Sequence, residues 1–133
     1  MSENPRWRKR RVLLVDDDEQ CHQMYGTALE FYGFDVDRAT NGAEGIERVA
    51  STPPDVVLMD IAMPVLDGLA ALRRLRSDQR TRTLPIVAIT ATVSVHEIGD
   101  LLDAGFCDVL LKPVDPVNVV KVARKWSRAV RIW

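Results

Sequence analysis

The chain has 133 residues, a net charge of −1, 47% hydrophobic residues and 28% charged residues. This size and balance fit one globular domain and exclude an intrinsically disordered chain. No apolar stretch approaches the roughly 20 residues that a membrane-spanning helix needs, and no secretory signal is recognisable. Cys21 and Cys107 lack the spacing of a metal site, so the sequence predicts reduced, buried thiols in a cytoplasmic protein.

Basic residues are grouped near the start, in the middle and near the end of the chain. A nucleic-acid interface would need them on one face together with a reading element. The sequence has no helix-turn-helix, zinc-finger or RNA-stacking motif, so we predict solvated helix faces and no direct nucleic-acid binding. The groups are Arg6, Arg8, Lys9, Arg10 and Arg11; Arg73, Arg74, Arg76, Arg80 and Arg82; and Lys121, Arg124, Lys125, Arg128 and Arg131.

Apolar runs alternate five times with segments of helical periodicity. The predicted strands are 11–15, 34–38, 55–59, 84–90 and 108–111, and the predicted helices are 19–32, 43–50, 68–76, 95–104 and 115–130. The predicted inward-facing residues are Met24, Ala28 and Phe31; Ile46, Val49 and Ala50; Leu69, Leu72 and Leu75; Ile98, Leu101 and Leu102; and Val119 with Trp126. Gly33 and Gly105 are predicted to end the first and fourth helices.

Strict alternation of strand and helix predicts parallel strands, right-handed crossovers and helices on both faces of the sheet. Five units match the α/β, flavodoxin-like, doubly wound sheet of strand order 2-1-3-4-5, which binds ligands at the carboxyl edge of strands one and three. The chain then divides into a basic extension, 1–10, a single domain, 11–130, and a tail, 131–133. Trp7 and Trp133 fall outside that domain, as chain ends or as contacts with a partner or second subunit.

Strands one and three both end on carboxylates. Asp16 and Asp17 follow the first strand, and Asp60 follows the third. Carboxylates this close repel each other unless a cation neutralises them, and Mg²⁺ suits carboxylates combined with phosphate oxygens. The strand ends therefore predict a magnesium site, whereas Asp18 is interpreted as the N-cap of the first helix.

Strands four and five bring a hydroxyl and an ammonium to the same edge, from Thr90 and Lys112. A carboxylate beside a cation can attack phosphorus and form an acyl phosphate. The metal and the ammonium would then offset charge on the phosphoryl oxygens. The two histidines, His22 and His96, are predicted to lie on helix surfaces.

Over residues 11–130 the chain resembles the receiver domains of bacterial two-component response regulators. The matching pieces are Val12-Leu13-Leu14-Val15-Asp16-Asp17; Leu58-Met59-Asp60 with Met63-Pro64 and Asp67-Gly68; Thr90-Ala91; and Lys112-Pro113. Each piece is weak alone, but all of them in this order, at the ends of four strands, are highly specific.

The resemblance implies that Asp60 accepts a phosphoryl group from a phosphohistidine on a sensor histidine kinase or phosphotransfer protein. It also implies that Asp16, Asp17, Asp60 and the backbone carbonyl of Ala62 hold Mg²⁺. Such a domain is a phosphoacceptor that assists its own phosphorylation and dephosphorylation. It would signal to a downstream protein or output domain through helix four, strand five and helix five, or through a homodimer.

The same resemblance implies that Thr90 and Lys112 contact the phosphoryl group, and that Thr90 draws the loop before helix four inward. It further implies a cis peptide bond between Lys112 and Pro113. The chain departs from the family at Val109, where such receivers carry a tyrosine or phenylalanine that moves inward on activation. We therefore expect a weaker or rerouted response through helix four.

Three other functions are compatible with a related fold. A hydrolase with an aspartyl nucleophile would need a second acid two residues after Asp60, where the chain has Ala62. A flavodoxin-like electron carrier would need a hydroxyl- and glycine-rich loop after strand one, where acids would repel the flavin phosphate. A receiver that docks partners without phosphorylation would not need the acids, the hydroxyl and the lysine together. Whether the domain acts alone or within a larger regulator stays open.

Overall fold

The computed structural model describes residues 8–91 and 94–127. Trp7, Trp133, the tail 131–133 and the predicted end of the fifth helix at 128–130 lie outside the described residues. The strands are β1 (Arg11–Val15), β2 (Asp35–Ala39), β3 (Val56–Asp60), β4 (Ile86–Thr90) and β5 (Asp108–Leu111). The helices are α1 (Glu19–Phe31), α2 (Gly42–Ser51), α3 (Gly68–Ser77), α4 (Val95–Ala104) and α5 (Pro116–Ser127).

The strands form one parallel sheet in the order β2-β1-β3-β4-β5, which confirms the predicted flavodoxin-like topology. β1 and β3 are neighbours, with Val15 opposite Met59. β4 lies on the other side of β3, with Ile89 opposite Asp60. Because all strands run in the same direction, the residues that end β1, β3, β4 and β5 meet at one edge.

Two hydrophobic clusters cover the two faces of the sheet. Val12 and Leu14 point to the cluster shared with α1 and α5, whereas Leu13 and Val15 point to the cluster shared with α2, α3 and α4. This alternation is the period of two that a strand buried on both faces requires. Trp126 packs against the first cluster, as predicted, and its indole nitrogen donates a hydrogen bond of 3.0 Å to Asp108.

Polar side chains begin the helices that lead away from the sheet. Asp18, Asn41, Asp67 and Ser94 are the N-caps of α1, α2, α3 and α4, and each accepts a hydrogen bond from a backbone N–H of the first turn. These bonds satisfy amides that have no partner inside the helix. The predicted cap at Asp18 is therefore confirmed.

The predicted inward face of α1 was wrong at Met24 and Phe31, although Ala28 packs against the first cluster as predicted. Met24 and Phe31 are 46% and 81% exposed, whereas Tyr25 and Leu29 are buried. The helix carries two apolar rows, and spacing alone does not distinguish them. Cys21, Tyr25 and Leu29 form the row that packs into the cluster with α5, because they follow one another at four-residue intervals along one face.

Smaller corrections concern the ends of elements and two further helix positions. Ala50 and Leu102 were predicted to face inward but are exposed, since Val49 and Leu101, one residue earlier, occupy the buried positions. β2 and β3 are shifted by one residue from the prediction, and β4 begins at Ile86. The shift of β3 places Asp60 inside the last pair of the strand.

Arg76 was predicted to lie mostly outside but is half-buried. Its guanidinium donates hydrogen bonds of 2.9 and 3.2 Å to the carbonyl of Gly105, and bonds of 3.1 Å to the carbonyls of Thr81 and Arg82. Burial lowers the pKa of this side chain. Arg76 thus ties the carboxyl end of α4 to α3, while within α4 only Leu101 is buried. No helix in the described ranges is long and apolar enough to cross a membrane.

Candidate functional site

Three carboxylates meet at the carboxyl edge of β1 and β3, as the sequence predicts. Asp16, Asp17 and Asp60 each place one carboxylate oxygen within 4.8 Å of the others. Asp16 and Asp60 are buried, and Asp17 is exposed. The three oxygens form a hard donor set that fits a divalent cation.

Lys112, which follows β5, joins the carboxylates. Its ammonium lies 2.8 Å from Oδ2 of Asp16 and 3.6 Å from Oδ2 of Asp60. Burial works to lower the pKa of this ammonium, but the hydrogen bond to Asp16 and the charges of Asp16 and Asp60 outweigh it and raise the pKa. The lysine is therefore held charged between two buried carboxylates.

The Asp60 carboxyl group is destabilised in its charged form. Burial and the neighbouring charge of Asp16 raise its pKa, although Lys112 and the backbone amides of Ile61 and Ala62 work to lower it. Burial and a like charge are the two general causes of such a shift. A divalent cation at the three carboxylates would relieve it.

Replacing Asp60 by asparagine is therefore expected to stabilise the metal-free protein at neutral pH, by an amount on the order of 1 kcal/mol. Because the raised pKa makes the folded state bind a proton more tightly, the Asp60 contribution to stability falls as pH rises from the unfolded value, about 4, through the folded value. The advantage of the variant should vanish in acid. Urea unfolding in EDTA across this pH range measures the difference in the free energy of unfolding. Equal free energies at neutral pH would contradict the destabilising effect of the Asp60 charge.

The remaining predicted site residues occupy the same edge. Thr90 ends β4 and is buried, and its carbonyl accepts a hydrogen bond of 2.8 Å from the backbone N–H of Lys112. Ala62 lies in the exposed loop after β3. The Lys112–Pro113 bond is cis, as the resemblance implied. Val109 is half-buried against the cluster of α2, α3 and α4.

His22 was predicted to lie on a helix surface, and that prediction was wrong. Its side chain is 8% exposed, and its Nε2 lies 2.6 Å from the backbone carbonyl oxygen of Asp16. The signal was present in the sequence, since His22 stands three and seven residues before Tyr25 and Leu29 on the buried face of α1. His96 is exposed, as predicted.

Gly68 has a structural role that the sequence did not reveal. Its N–H donates to the carbonyl of Ile61 at 2.9 Å, and any side chain at this position would overlap the backbone carbonyl of Asp60. α3 can begin this close to β3 because the residue has no Cβ.

The two cysteines are free thiols; Cys21 is buried, as predicted, whereas Cys107 is half-buried. Burial and the charge of Asp16 raise the pKa of Cys21 to about 11, and burial raises the pKa of Cys107. Because the thiolate is the reactive form, the raised pKa of each thiol disfavours its reaction near neutral pH. Cys21 lies in the hydrophobic cluster with α1 and α5, and Cys107 packs against that cluster.

The family model of the response regulator receiver domain matches residues 12–124. The chain belongs to this family. The receiver domain is 41% identical over 105 residues to the regulatory protein AtoC of Escherichia coli, covering 79% of this chain and 22% of that protein. It is 44% identical over 103 residues to the response regulator MprA of Mycolicibacterium vanbaalenii, covering 77% and 44%. The chain thus spans less than half the length of these relatives.

Solved structures show the same fold. A putative response regulator from Chloroflexus aurantiacus superposes with a TM-score of 0.84 at 30% identity, covering 90% of this receiver domain and 98% of that chain. The receiver domain of the sensor histidine kinase PA1611 from Pseudomonas aeruginosa superposes with a TM-score of 0.82 at 28% identity, covering 90% and 98%. The latter structure is described with a magnesium ion coordinated in its active-site cleft.

Proposed function

We propose that this receiver domain accepts a phosphoryl group on Asp60 from a phosphohistidine of a sensor kinase or phosphotransfer protein. The observation that carries the proposal is the convergence of Asp60 with Asp16, Asp17 and Lys112 at one edge of the sheet. Burying two carboxylates beside a lysine costs desolvation free energy. A domain that only docked partners would have no need for that arrangement.

In the proposed transfer, a carboxylate oxygen of Asp60 attacks phosphorus. The phosphorus–nitrogen bond to the donor histidine breaks, and the released imidazole takes up a proton from water. Lys112 lies where it can offset charge on a phosphoryl oxygen, since it already contacts Asp60 at 3.6 Å. We propose that Thr90, buried beside it, donates its hydroxyl hydrogen to the phosphoryl group.

The three carboxylates fit Mg²⁺, and a bound structure of a related receiver supports that choice of ion. We propose that Asp16, Asp17, Asp60 and the backbone carbonyl of Ala62 hold it. The ion would supply positive charge to the phosphoryl oxygens. The same residues would assist hydrolysis of the acyl phosphate, so the domain is a signalling switch rather than an enzyme with a separate substrate.

We propose that the phosphorylated state is passed on through α4, β5 and α5. Apolar side chains on these elements are exposed, as in Val95, Leu111 and Val117. Such a surface fits a downstream protein, an output domain or a second copy of the chain. Because Val109 supplies no aromatic ring, the response would run through the loop after Thr90 and through α4, which is weakly buried. A cytoplasmic location follows from the proposed kinase partner.

The proposal is tested by incubating the protein with Mg²⁺ and phosphoramidate, a small donor with a phosphorus–nitrogen bond. Intact-protein mass spectrometry should show one Mg²⁺-dependent phosphoryl group on the wild type and none on Asp60→Asn. Asp67→Asn is the matched control, because asparagine preserves the N-cap of α3 in the same loop. No adduct on the wild type, or equal labelling of Asp60→Asn, would overturn the proposal.

A further inference from the structure

His22 is buried in α1, directly beneath the loop that carries the first two carboxylates. Its Nε2 is 2.6 Å from the carbonyl oxygen of Asp16. Because a carbonyl oxygen can only accept a hydrogen bond, Nε2 carries the hydrogen. The other ring nitrogen, Nδ1, is buried and has no hydrogen-bond partner among the described residues. The ring therefore makes one directed bond, and that bond ends on the backbone of a proposed metal ligand.

Asp16 is held at every polar group that its residue offers. Its N–H donates to the carbonyl of Ala39 at 3.1 Å, and its carbonyl accepts from His22. Its two carboxylate oxygens accept from the N–H of Asp18 at 2.9 Å and from the ammonium of Lys112 at 2.8 Å. Three of these four partners act on the amide or the side chain of Asp16 itself. The bond from His22 acts instead on the peptide unit that leads to Asp17.

The direction of the Asp17 side chain depends on the orientation of that peptide unit. Its side chain is exposed, and within the described part of the chain no hydrogen bond holds its carboxylate. It borders a cavity of about 360 Å³ that His22 and Arg38 also line, so packing does not fix it. Because a peptide unit is planar, fixing the Asp16 carbonyl also fixes the bond on which the Asp17 residue begins.

We propose that His22 is a positioning residue that orients the Asp16–Asp17 peptide and so directs the Asp17 carboxylate toward the proposed Mg²⁺ site. The inference rests on the proposed metal-dependent function but concerns a residue outside the metal ligands. A group that orients a ligand through a hydrogen bond commonly changes metal affinity by about 10- to 100-fold when it is removed.

The test compares His22→Leu, His22→Gln and His96→Leu. Leucine fills the buried position without a donor, whereas the glutamine amide can reach the same carbonyl. His96→Leu is the matched control, because it removes the exposed histidine of α4. Mg²⁺ affinity is measured by NMR titration of the amides of Asp16 and Asp17, and thermal unfolding in EDTA reports on the fold. We expect affinity to fall about tenfold in His22→Leu and about twofold in His22→Gln, with no change in His96→Leu.

Two results would overturn the inference while leaving the proposed function intact. One is wild-type Mg²⁺ affinity in His22→Leu, with or without a lower unfolding temperature. The other is an equal loss of affinity in the leucine and glutamine variants. The nitrogen-15 spectrum of the wild-type ring gives a test that needs no variant: a hydrogen on Nδ1 instead of Nε2 would also overturn it. Absence of Mg²⁺ binding in the wild type would instead refute the proposed function, and this inference with it.

Discussion

Replacing Lys112 by methionine is expected to slow Mg²⁺-dependent phosphorylation of Asp60 by about 100-fold or more. The ammonium lies 2.8 Å from Asp16 and 3.6 Å from Asp60, between the two buried carboxylates. Methionine keeps most of the aliphatic stem but removes the positive charge that would offset the negative charge on the phosphoryl oxygens. The initial rate of phosphoryl incorporation from phosphoramidate, at saturating Mg²⁺, measures the effect.

The same change should weaken the metal-free fold, because it leaves the Asp16 carboxylate buried without its positive partner. Breaking a buried pair on one side typically costs about 3–5 kcal/mol. Lys121→Met is the matched control, since Lys121 is an exposed lysine of α5. The control should leave both rate and stability unchanged. A normal rate in Lys112→Met would show that the lysine pairs with the acids without serving the transfer.

Replacing Asp17 by asparagine is expected to raise the Mg²⁺ concentration needed for phosphorylation by about 100-fold, because the charge of the ligands governs affinity for hard cations. Asp17 brings an oxygen within 4.8 Å of those of Asp16 and Asp60, yet its side chain is exposed. The substitution should therefore leave the unfolding temperature in EDTA unchanged. The midpoint of the phosphorylation rate against Mg²⁺ concentration measures the effect.

Asp103→Asn removes an exposed acid of α4 and serves as the control for general charge effects. Asp17→Asn is expected to weaken Mg²⁺ binding more than His22→Leu does. Asp17→Asn removes the charge of a proposed ligand, whereas His22→Leu only leaves that ligand less well oriented. A midpoint that does not move would mean that the ion is held by Asp16 and Asp60 without Asp17.

The sequence predicted the fold and the convergence of the strand-end side chains for the same physical reason. A central strand must be apolar along most of its length, so a carboxylate such as Asp60 marks the carboxyl end of the strand. Parallel topology then brings Asp16, Asp60, Thr90 and Lys112 to one edge without any knowledge of side-chain packing. Residue type and strand order together were enough to predict that these side chains lie at one edge of the sheet.

The sequence could not determine which of two plausible faces of a helix becomes buried. Met24 and Phe31 were chosen over Tyr25 and Leu29 because apolar character alone does not rank two rows of one helix. The same choice of face led to the wrong prediction for His22, although its spacing from Tyr25 and Leu29 indicated the buried side of α1. Arg76 was misplaced because its partners are backbone carbonyls after α3 and at the end of α4, and residue type does not indicate such partners.

The central claim is that the phosphoryl group is carried by the side chain of Asp60. Borohydride reduces an acyl phosphate to an alcohol, so an aspartyl phosphate becomes homoserine and keeps its place in the sequence. Peptide mass spectrometry of the phosphorylated, borohydride-treated protein should find homoserine at position 60 and unmodified aspartate at positions 16 and 17. Homoserine at either of those positions, or at none of the three, would contradict the account.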